Sequence, residues 1–179
     1  LGLCNVMKSG FKVSTKLKLE NSSVTKDYIA RMCEKSLSNL KSDHLNGLMI
    51  HNSEEFLGQF RDPIWEQMVS LRKSGKVENI GISIYNPNQL ELIFDLEGPL
   101  KVQIPLNLYD QRFLSNGLIE LARANGIVIQ ARSIFLQGLF SLDHNSLPSS
   151  MRKIRNTHKS MRDSMNEQGL NPLAGAMQF

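Results

Sequence analysis

Residues 45–52 read LNGLMIHN, an apolar run of strand length that ends abruptly in a histidine and an amide. A strand that is apolar along its whole length is buried on both faces, as in a parallel sheet covered by helices. His51 stands at the carboxyl end of this strand, which is where parallel α/β folds build their active sites. We therefore expect the rest of the chain to supply further βα units whose strand ends meet near His51.

The sequence on both sides of this strand predicts alternating strands and helices. Alternating or β-rich runs predict further strands at 11–17, 77–83, 101–105 and 127–131. Helical spacing, proline starts and glycine stops predict helices at 25–40, 63–73, 87–94, 112–124 and 148–167, and from 172 to the chain end. Repeated βα units at even spacing favour a parallel sheet with covering helices.

The length limits how much of a closed barrel this chain can form. An eight-unit βα barrel needs about 250 residues, and the chain has 179. We therefore expect a single α/β domain spanning residues 1–179. It would be a partial (β/α)8 TIM barrel of about five central βα units, without the N-terminal and C-terminal units.

Composition narrows the class of partner. Hydrophobic residues make up 41% of the chain and charged residues 21%, and the net charge of +4 is spread along the sequence rather than massed. Neither nucleic acid nor a membrane is an expected partner. Two isolated cysteines, Cys4 and Cys33, form no disulfide framework or zinc motif, which favours a reducing cytoplasm and no metal. His44, His144 and His158 lack ligand spacing and are expected on the surface.

Several segments together resemble the aldo-keto reductase superfamily, and the resemblance covers nearly the whole chain. In the family's order they are VSTK at 13–16, SL at 36–37, LMIH at 48–51, GKV at 75–77, GIS at 81–83, VQIPLN at 102–107, ARS at 131–133 and GL at 138–139. The run FLQGL at 135–139 further resembles reductases linked to bacterial surface-polysaccharide synthesis. The resemblance implies a barrel that binds NADPH at its C-terminal rim and transfers hydride to a small-molecule aldehyde or ketone.

The resemblance also implies roles for particular residues. The family's catalytic tetrad is Asp, Tyr, Lys and His. By motif, Lys16 resembles the lysine and His51 the histidine, whereas the aspartate and the acid-donating tyrosine are expected just before Leu1. The residues that resemble holders of the nicotinamide carboxamide are Ser83, Gln103 and Asn107. Those that resemble the loop near the pyrophosphate are Ser133, Leu136 and Gly138.

Arg132 departs from the family pattern. Many relatives place an aromatic side chain here, stacked on the nicotinamide. A guanidinium plane can also stack on a ring, but a cation is less favourable beside a nicotinamide that becomes positive on oxidation. We expect Arg132 to contact a phosphate, the substrate or a carboxylate. The segment that usually reads the adenosine 2′-phosphate is expected beyond Phe179, so these residues do not distinguish NADPH from NADH.

Simpler explanations exist for each residue taken alone. His51 could cap a strand, Lys16 could be a solvated strand-end lysine, and Ser83 could cap the following turn. Gln103 could be a satisfied interior amide, and Tyr109 could line the substrate mouth or pack under a loop. Two other functions remain open, a non-catalytic relative that binds a nicotinamide cofactor and an unrelated βα-barrel enzyme. The sequence gives neither the substrate nor the oligomeric state.

Overall fold

The computed structural model describes residues 11–19, 27–58, 60–98 and 100–179. The strands are β1 (Ser14–Leu17), β2 (Leu45–Ile50), β3 (Val77–Ser83), β4 (Leu100–Pro105) and β5 (Val128–Arg132). The α-helices are α1 (Tyr28–Leu40), α2 (Ser53–Phe56), α3 (Arg61–Lys73), α4 (Asn88–Glu91), α5 (Leu118–Ala124), α6 (Arg155–Glu167) and α7 (Pro172–Gln178). Shorter 3-10 turns cover Arg112–Gly117, Leu136–Ser141, His144–Ser146 and Ser149–Ile154.

The five strands form one sheet in the order β1-β2-β3-β4-β5. The pairs β1–β2, β2–β3 and β3–β4 all run parallel, which confirms the predicted parallel arrangement. Their register places Lys16, Met49, Gly81 and Lys101 in one row across four strands. The carboxyl ends of these strands therefore lie along one edge of the sheet.

The apolar core lies on one side of the strands and under the helices. The buried strand residues include Leu48, Ile50, Ile80, Ile82, Val102 and Ile104, and in β2 the intervening Met49 is buried as well. Helix α3 packs on β3, and α1 packs on β1 and on α3. Burial of each such side chain contributes roughly 1.5–3 kcal/mol, so these residues stabilise the packing of the helices on the sheet.

Helix α1 shows why these residues form a helix at this place. Ile29, Cys33 and Leu37 recur every four residues and are buried, as expected for the apolar stripe of a surface helix. The helix ends where Lys41 takes a left-handed backbone conformation, with φ of 50°. The predicted start of this helix, at residue 25, lies outside the described residues.

The predicted strand at 11–17 is shorter, at Ser14–Leu17, and three predicted helices also differ in extent. The predicted helix at 148–167 is wrong over its first part, where Ser149–Ile154 forms a 3-10 turn before α6. Serine hydroxyls compete for backbone hydrogen bonds and disfavour an α start there. The predicted helix at 112–124 likewise begins as a 3-10 turn, because Gly117 has a φ of +66° and interrupts the α conformation. The predicted helix at 87–94 is the single turn α4.

The chain divides into two compact units. The first holds the described residues through Ile104 together with Arg112–Gln130, and the second holds Pro105–Gln111 and Ala131–Phe179. The expectation of one domain over residues 1–179 stays a prediction. Within the described ranges, we find no helix with the length and apolar character needed to cross a membrane.

Candidate active site

In the first unit, Lys16 and Gln103 meet across the concave face of the sheet. The Lys16 ammonium Nζ donates to Gln103 Oε1 at 3.0 Å. Their strands, β1 and β4, are three strand spacings apart, roughly 14 Å in a flat sheet at about 4.8 Å per spacing. The contact therefore requires a sheet that curls as a barrel wall does, and Gly81, without a side chain, lies in register between the two strands.

Gln103 extends this contact to β5. Its Nε2 donates to Oε1 of Gln130 at 3.4 Å. Gln130 is an exposed amide that the sequence reasoning missed. It follows an apolar residue in a β-rich run, and alternation along the strand is the signal that could have revealed it. Lys16, Gln103 and Gln130 thus form one hydrogen-bonded row.

His51 directly follows β2 at the same edge of the sheet. Its backbone N–H donates to the Leu17 carbonyl at 2.7 Å, which continues the ladder between β1 and β2 by one residue. Because side chains alternate along an extended strand, His51 falls on the same face as Met49, whose register partner is Lys16. The imidazole is exposed. The structure therefore brings Lys16 and His51 to adjacent strand ends.

Asn52 holds the segment that leaves β1. Its Oδ1 accepts from the Leu19 N–H at 3.0 Å and its Nδ2 donates to the Leu19 carbonyl at 3.3 Å. Both hydrogen bonds connect residues 33 positions apart. The amide that follows the histidine in the sequence thus fixes the backbone just beyond Lys16.

Ser83 ends β3 and is opposite Gln103 in the register. Its side chain is fully buried, and its hydroxyl makes no hydrogen bond within the described part of the chain. A buried donor without a partner destabilises the fold by about 1–3 kcal/mol, because no hydrogen bond replaces its lost hydration. Such an atom fits a position where a ligand supplies the missing partner.

In the second unit, Asn107 shapes a tight turn after β4. Its Oδ1 accepts from the backbone N–H groups of Tyr109 and Asp110, both at 3.0 Å. The side chain is 1% exposed, and its Nδ2 makes no hydrogen bond among the described residues. Asn107 therefore has a structural task, and it also keeps an amide donor available to a ligand.

The loop after β5 has an unusual backbone. Ser133, Leu136, Gln137 and Gly138 have φ values of 58°, 45°, 56° and 91°. Three of the four are not glycine, and such residues rarely adopt this conformation. Nη1 of Arg132 donates to Ser133 Oγ at 3.3 Å. The residues expected near the pyrophosphate thus have backbone conformations that the surrounding structure must stabilise.

One surface prediction is wrong. His158 is fully buried, with Nδ1 at 2.8 Å from the Tyr109 hydroxyl and Nε2 at 3.0 Å from the Leu142 carbonyl. His158 and the buried Met165 are seven residues apart on α6, a spacing that places both on one face and could have revealed the burial. Tyr109 stacks on Phe140, so it packs against the loop after β5.

No metal site is found among the described residues, because no three His, Cys, Asp or Glu side chains are grouped to hold an ion. The candidate site of the first unit is therefore one of side-chain donors, with an ammonium, an imidazole and amides at strand ends. The second unit, taken by itself, contains the Asn107 turn and the loop after β5. Donors and cations of this kind suit an anionic or carbonyl-bearing ligand.

Comparison with known proteins gives the family. The model of the aldo/keto reductase family matches residues 3–176. Oxidoreductase YdhF of Escherichia coli is 35% identical over 68 residues, which cover 38% of this chain and 22% of that protein. The match to an aldo/keto reductase family model argues against an unrelated βα-barrel enzyme. It leaves the subgroup suggested by residues 135–139 a prediction.

Solved structures share the fold. A glycerol dehydrogenase from Gluconobacter oxydans matches with a TM-score of 0.73 at 19% identity, covering 97% of this chain and 62% of that one. An aldo/keto reductase from Klebsiella pneumoniae, solved with NADP and acetate, matches with a TM-score of 0.68 at 14% identity, covering 96% and 57%. The chain thus spans less than two thirds of each of these relatives. Since the family model covers almost all of its length, the chain belongs to the aldo/keto reductase family.

Proposed function

We propose that the protein is an NADPH-dependent oxidoreductase that reduces an aldehyde or ketone, with Lys16 and His51 in its catalytic group. The observation that carries the proposal is their placement at the ends of adjacent parallel strands. Family membership supports the reaction class. The Klebsiella relative that was solved with NADP supports a nicotinamide cofactor. NADPH is preferred to NADH here on the resemblance alone.

The residues present fit a dinucleotide in two respects. Ser83 and Asn107 each keep a buried donor without a partner in the described chain, and a carboxamide oxygen is an acceptor that would satisfy such a donor. The loop containing Ser133, Leu136 and Gly138 has the left-handed backbone of anion-binding turns. In the proposal, Ser83 and Gln103 of the first unit hold the nicotinamide carboxamide. Asn107, Arg132 and the loop of the second unit keep the roles that the family resemblance implies for them, towards the carboxamide and the phosphates.

Lys16 and His51 would act on the carbonyl. NADPH, when bound, supplies the hydride. Hydride delivery builds negative charge on the carbonyl oxygen, so a proton donor and fixed positive groups must surround that atom. An ammonium near a tyrosine lowers the phenol pKa from about 10, which is the proposed task of Lys16 beside the tyrosine expected upstream. The imidazole N–H of His51 would orient the carbonyl.

The proposal is tested by replacing, one at a time, the histidines at the two ends of β2. His51→Ala is expected to lower turnover of an aldehyde panel by about 10²- to 10³-fold, because a donor to the developing oxyanion is lost. NADPH affinity, measured by fluorescence titration, should stay nearly unchanged. His44→Ala is the matched control, since His44 is an exposed histidine just before the same strand.

Each outcome has a meaning. Equal turnover in His51→Ala and the parent would remove His51 from the mechanism. In a parent that includes the tyrosine and aspartate expected upstream, NADPH binding without turnover would favour the alternative, a non-catalytic relative that retains the cofactor site. A parent that binds neither NADPH nor NADH would refute both functions.

A further inference from the structure

Two side chains on one face of α6 hold the end of the loop after β5. His158 Nε2 lies 3.0 Å from the Leu142 carbonyl, and Arg162 Nη1 donates to the Phe140 carbonyl at 3.0 Å. The two residues are four positions apart, so they lie one above the other on the helix. The helix therefore binds the loop at two backbone carbonyls that are two residues apart.

The hydrogen bonds of His158 fix the tautomer of its neutral ring. A backbone carbonyl can only accept, so Nε2 carries the proton and donates to Leu142. Nδ1 is then the acceptor for the Tyr109 hydroxyl at 2.8 Å. Burial raises the pKa of the Tyr109 phenol, so it keeps the proton that it donates. Both ring nitrogens are satisfied, although the ring is fully buried.

Tyr109 connects this histidine to the turn made by Asn107. The Tyr109 backbone N–H donates to Asn107 Oδ1 at 3.0 Å. Its ring stacks on Phe140, with centroids 5.5 Å apart and planes only 5° from parallel. A single tyrosine thus contacts the Asn107 turn, the loop after β5 and α6.

The backbone that is held in this way is strained. Within residues 133–142, here called the cofactor loop, Leu136, Gln137 and Gly138 have positive φ in succession. Non-glycine residues stay in this conformation only when the surrounding structure over-determines it. The contacts to the Phe140 and Leu142 carbonyls follow Gly138 by two and four residues, at the end of the loop, where they can prevent the loop from relaxing.

We propose that Tyr109, His158 and Arg162 form a clamp that keeps the cofactor loop in its binding-competent shape, and that they act as positioning residues. None of the three needs to touch the cofactor. The inference rests on the proposed function for the identity of the ligand. The mechanical part, that the clamp holds the loop, does not depend on it.

The expected change in NADPH affinity depends on the fraction of molecules whose cofactor loop has the binding-competent shape. If loss of the clamp leaves about one tenth of the molecules with a correctly shaped loop, the apparent dissociation constant for NADPH rises about tenfold. The same loss exposes the loop to local opening without cofactor. Chymotrypsin cuts after phenylalanine and leucine, both present at 135–136. Its cleavage rate there, located by mass spectrometry, reports the opening directly.

The experiment compares four variants of the protein with the parent. His158→Leu removes both hydrogen bonds of the ring, and Tyr109→Phe removes only the hydroxyl. His158→Gln keeps an amide donor at the Nε2 position for the Leu142 carbonyl. His144→Gln is the control, because His144 lies on the neighbouring 3-10 turn outside the clamp. Near-ultraviolet circular dichroism selects the variants that fold, and thermal unfolding is measured beside cleavage and NADPH affinity.

We expect His158→Leu and Tyr109→Phe to be cleaved in the cofactor loop about ten times faster than the parent and to bind NADPH about tenfold more weakly. His158→Gln should recover affinity to within about threefold of the parent, and His144→Gln should match it. If His158→Leu does not fold, Tyr109→Phe decides, because it removes one oxygen and keeps the ring.

Two results would overturn the inference. One is parent-like cleavage and binding in the folded variants. The other is a lower unfolding temperature in every clamp variant with unchanged NADPH affinity, since the residues would then serve stability alone. A parent that does not bind NADPH refutes the proposed function instead. In that case the cleavage rates still decide whether the clamp holds the loop.

Discussion

The substitution Gly81→Ala tests the strand packing that places the site. A Cβ built at Gly81 would lie 2.0 Å from the Lys101 carbonyl oxygen and 2.9 Å from its carbonyl carbon. Carbon–oxygen contacts in sheets are about 3.3 Å or longer, so the backbones would have to separate by about 1.3 Å. The obstacle is backbone, which cannot rotate away as a side chain can.

The cost is that of overpacking a tight interior. Such changes destabilise by about 1–3 kcal/mol, and more when backbone must move. In a protein of this size each kcal/mol lowers the unfolding temperature by about 2–4 °C. We therefore expect Gly81→Ala to unfold about 6–12 °C below the parent, corresponding to about 3 kcal/mol at the upper end of that range. The shift would also displace Gln103, two residues beyond Lys101.

A matched glycine provides the control for this experiment. Among the described residues, a Cβ at Gly58 would meet the Glu55 carbonyl alone, at an ordinary 3.6 Å. Gly58→Ala should therefore stay within about 0.5 kcal/mol of the parent. Thermal unfolding followed by circular dichroism measures both variants. If the unfolding temperature of Gly81→Ala lies within about 1 °C of that of the parent, β3 and β4 do not approach each other as closely as described. The contact of Lys16 with Gln103 would then lose its structural basis.

Two further predictions concern side chains around the sheet. Asn52→Leu should destabilise the protein by about 1–3 kcal/mol, because the buried backbone of Leu19 loses both of its partners; chemical denaturation measures this, and an unchanged midpoint would contradict it. Burial raises the pKa of the Cys33 thiol above its ordinary 9.0, with the Glu34 carboxylate adding to the effect. The unfolded chain therefore loses this proton first as the pH rises, so the stability contribution is complete below about pH 9 and falls above it. Cys33→Ala should flatten the fall in stability above about pH 9 in denaturation titrations, and an identical slope in both proteins would count against it.

The order of apolar and polar residues within short segments of the sequence predicted much of this fold. The run at 45–50 is β2, and 77–83 is β3 at the predicted bounds, because an apolar strand covered by helices needs little information beyond its own residues. Errors came where local signals compete. At Ser149–Ile154 and Arg112–Gly117 the chain forms 3-10 turns, since serine and glycine offer the backbone alternatives to an α-helix.

By itself, the sequence determined that parallel strands alternate with helices and that Lys16 and His51 stand at strand ends. Both properties depend on the order and periodicity of nearby residues. Only the tertiary structure decided that Lys16 meets Gln103, 87 positions away, and that His158 is buried against Tyr109. The physical reason is that such contacts depend on the curvature of the sheet and on how each helix is rotated about its axis. These are set by packing of the whole chain rather than by any one segment.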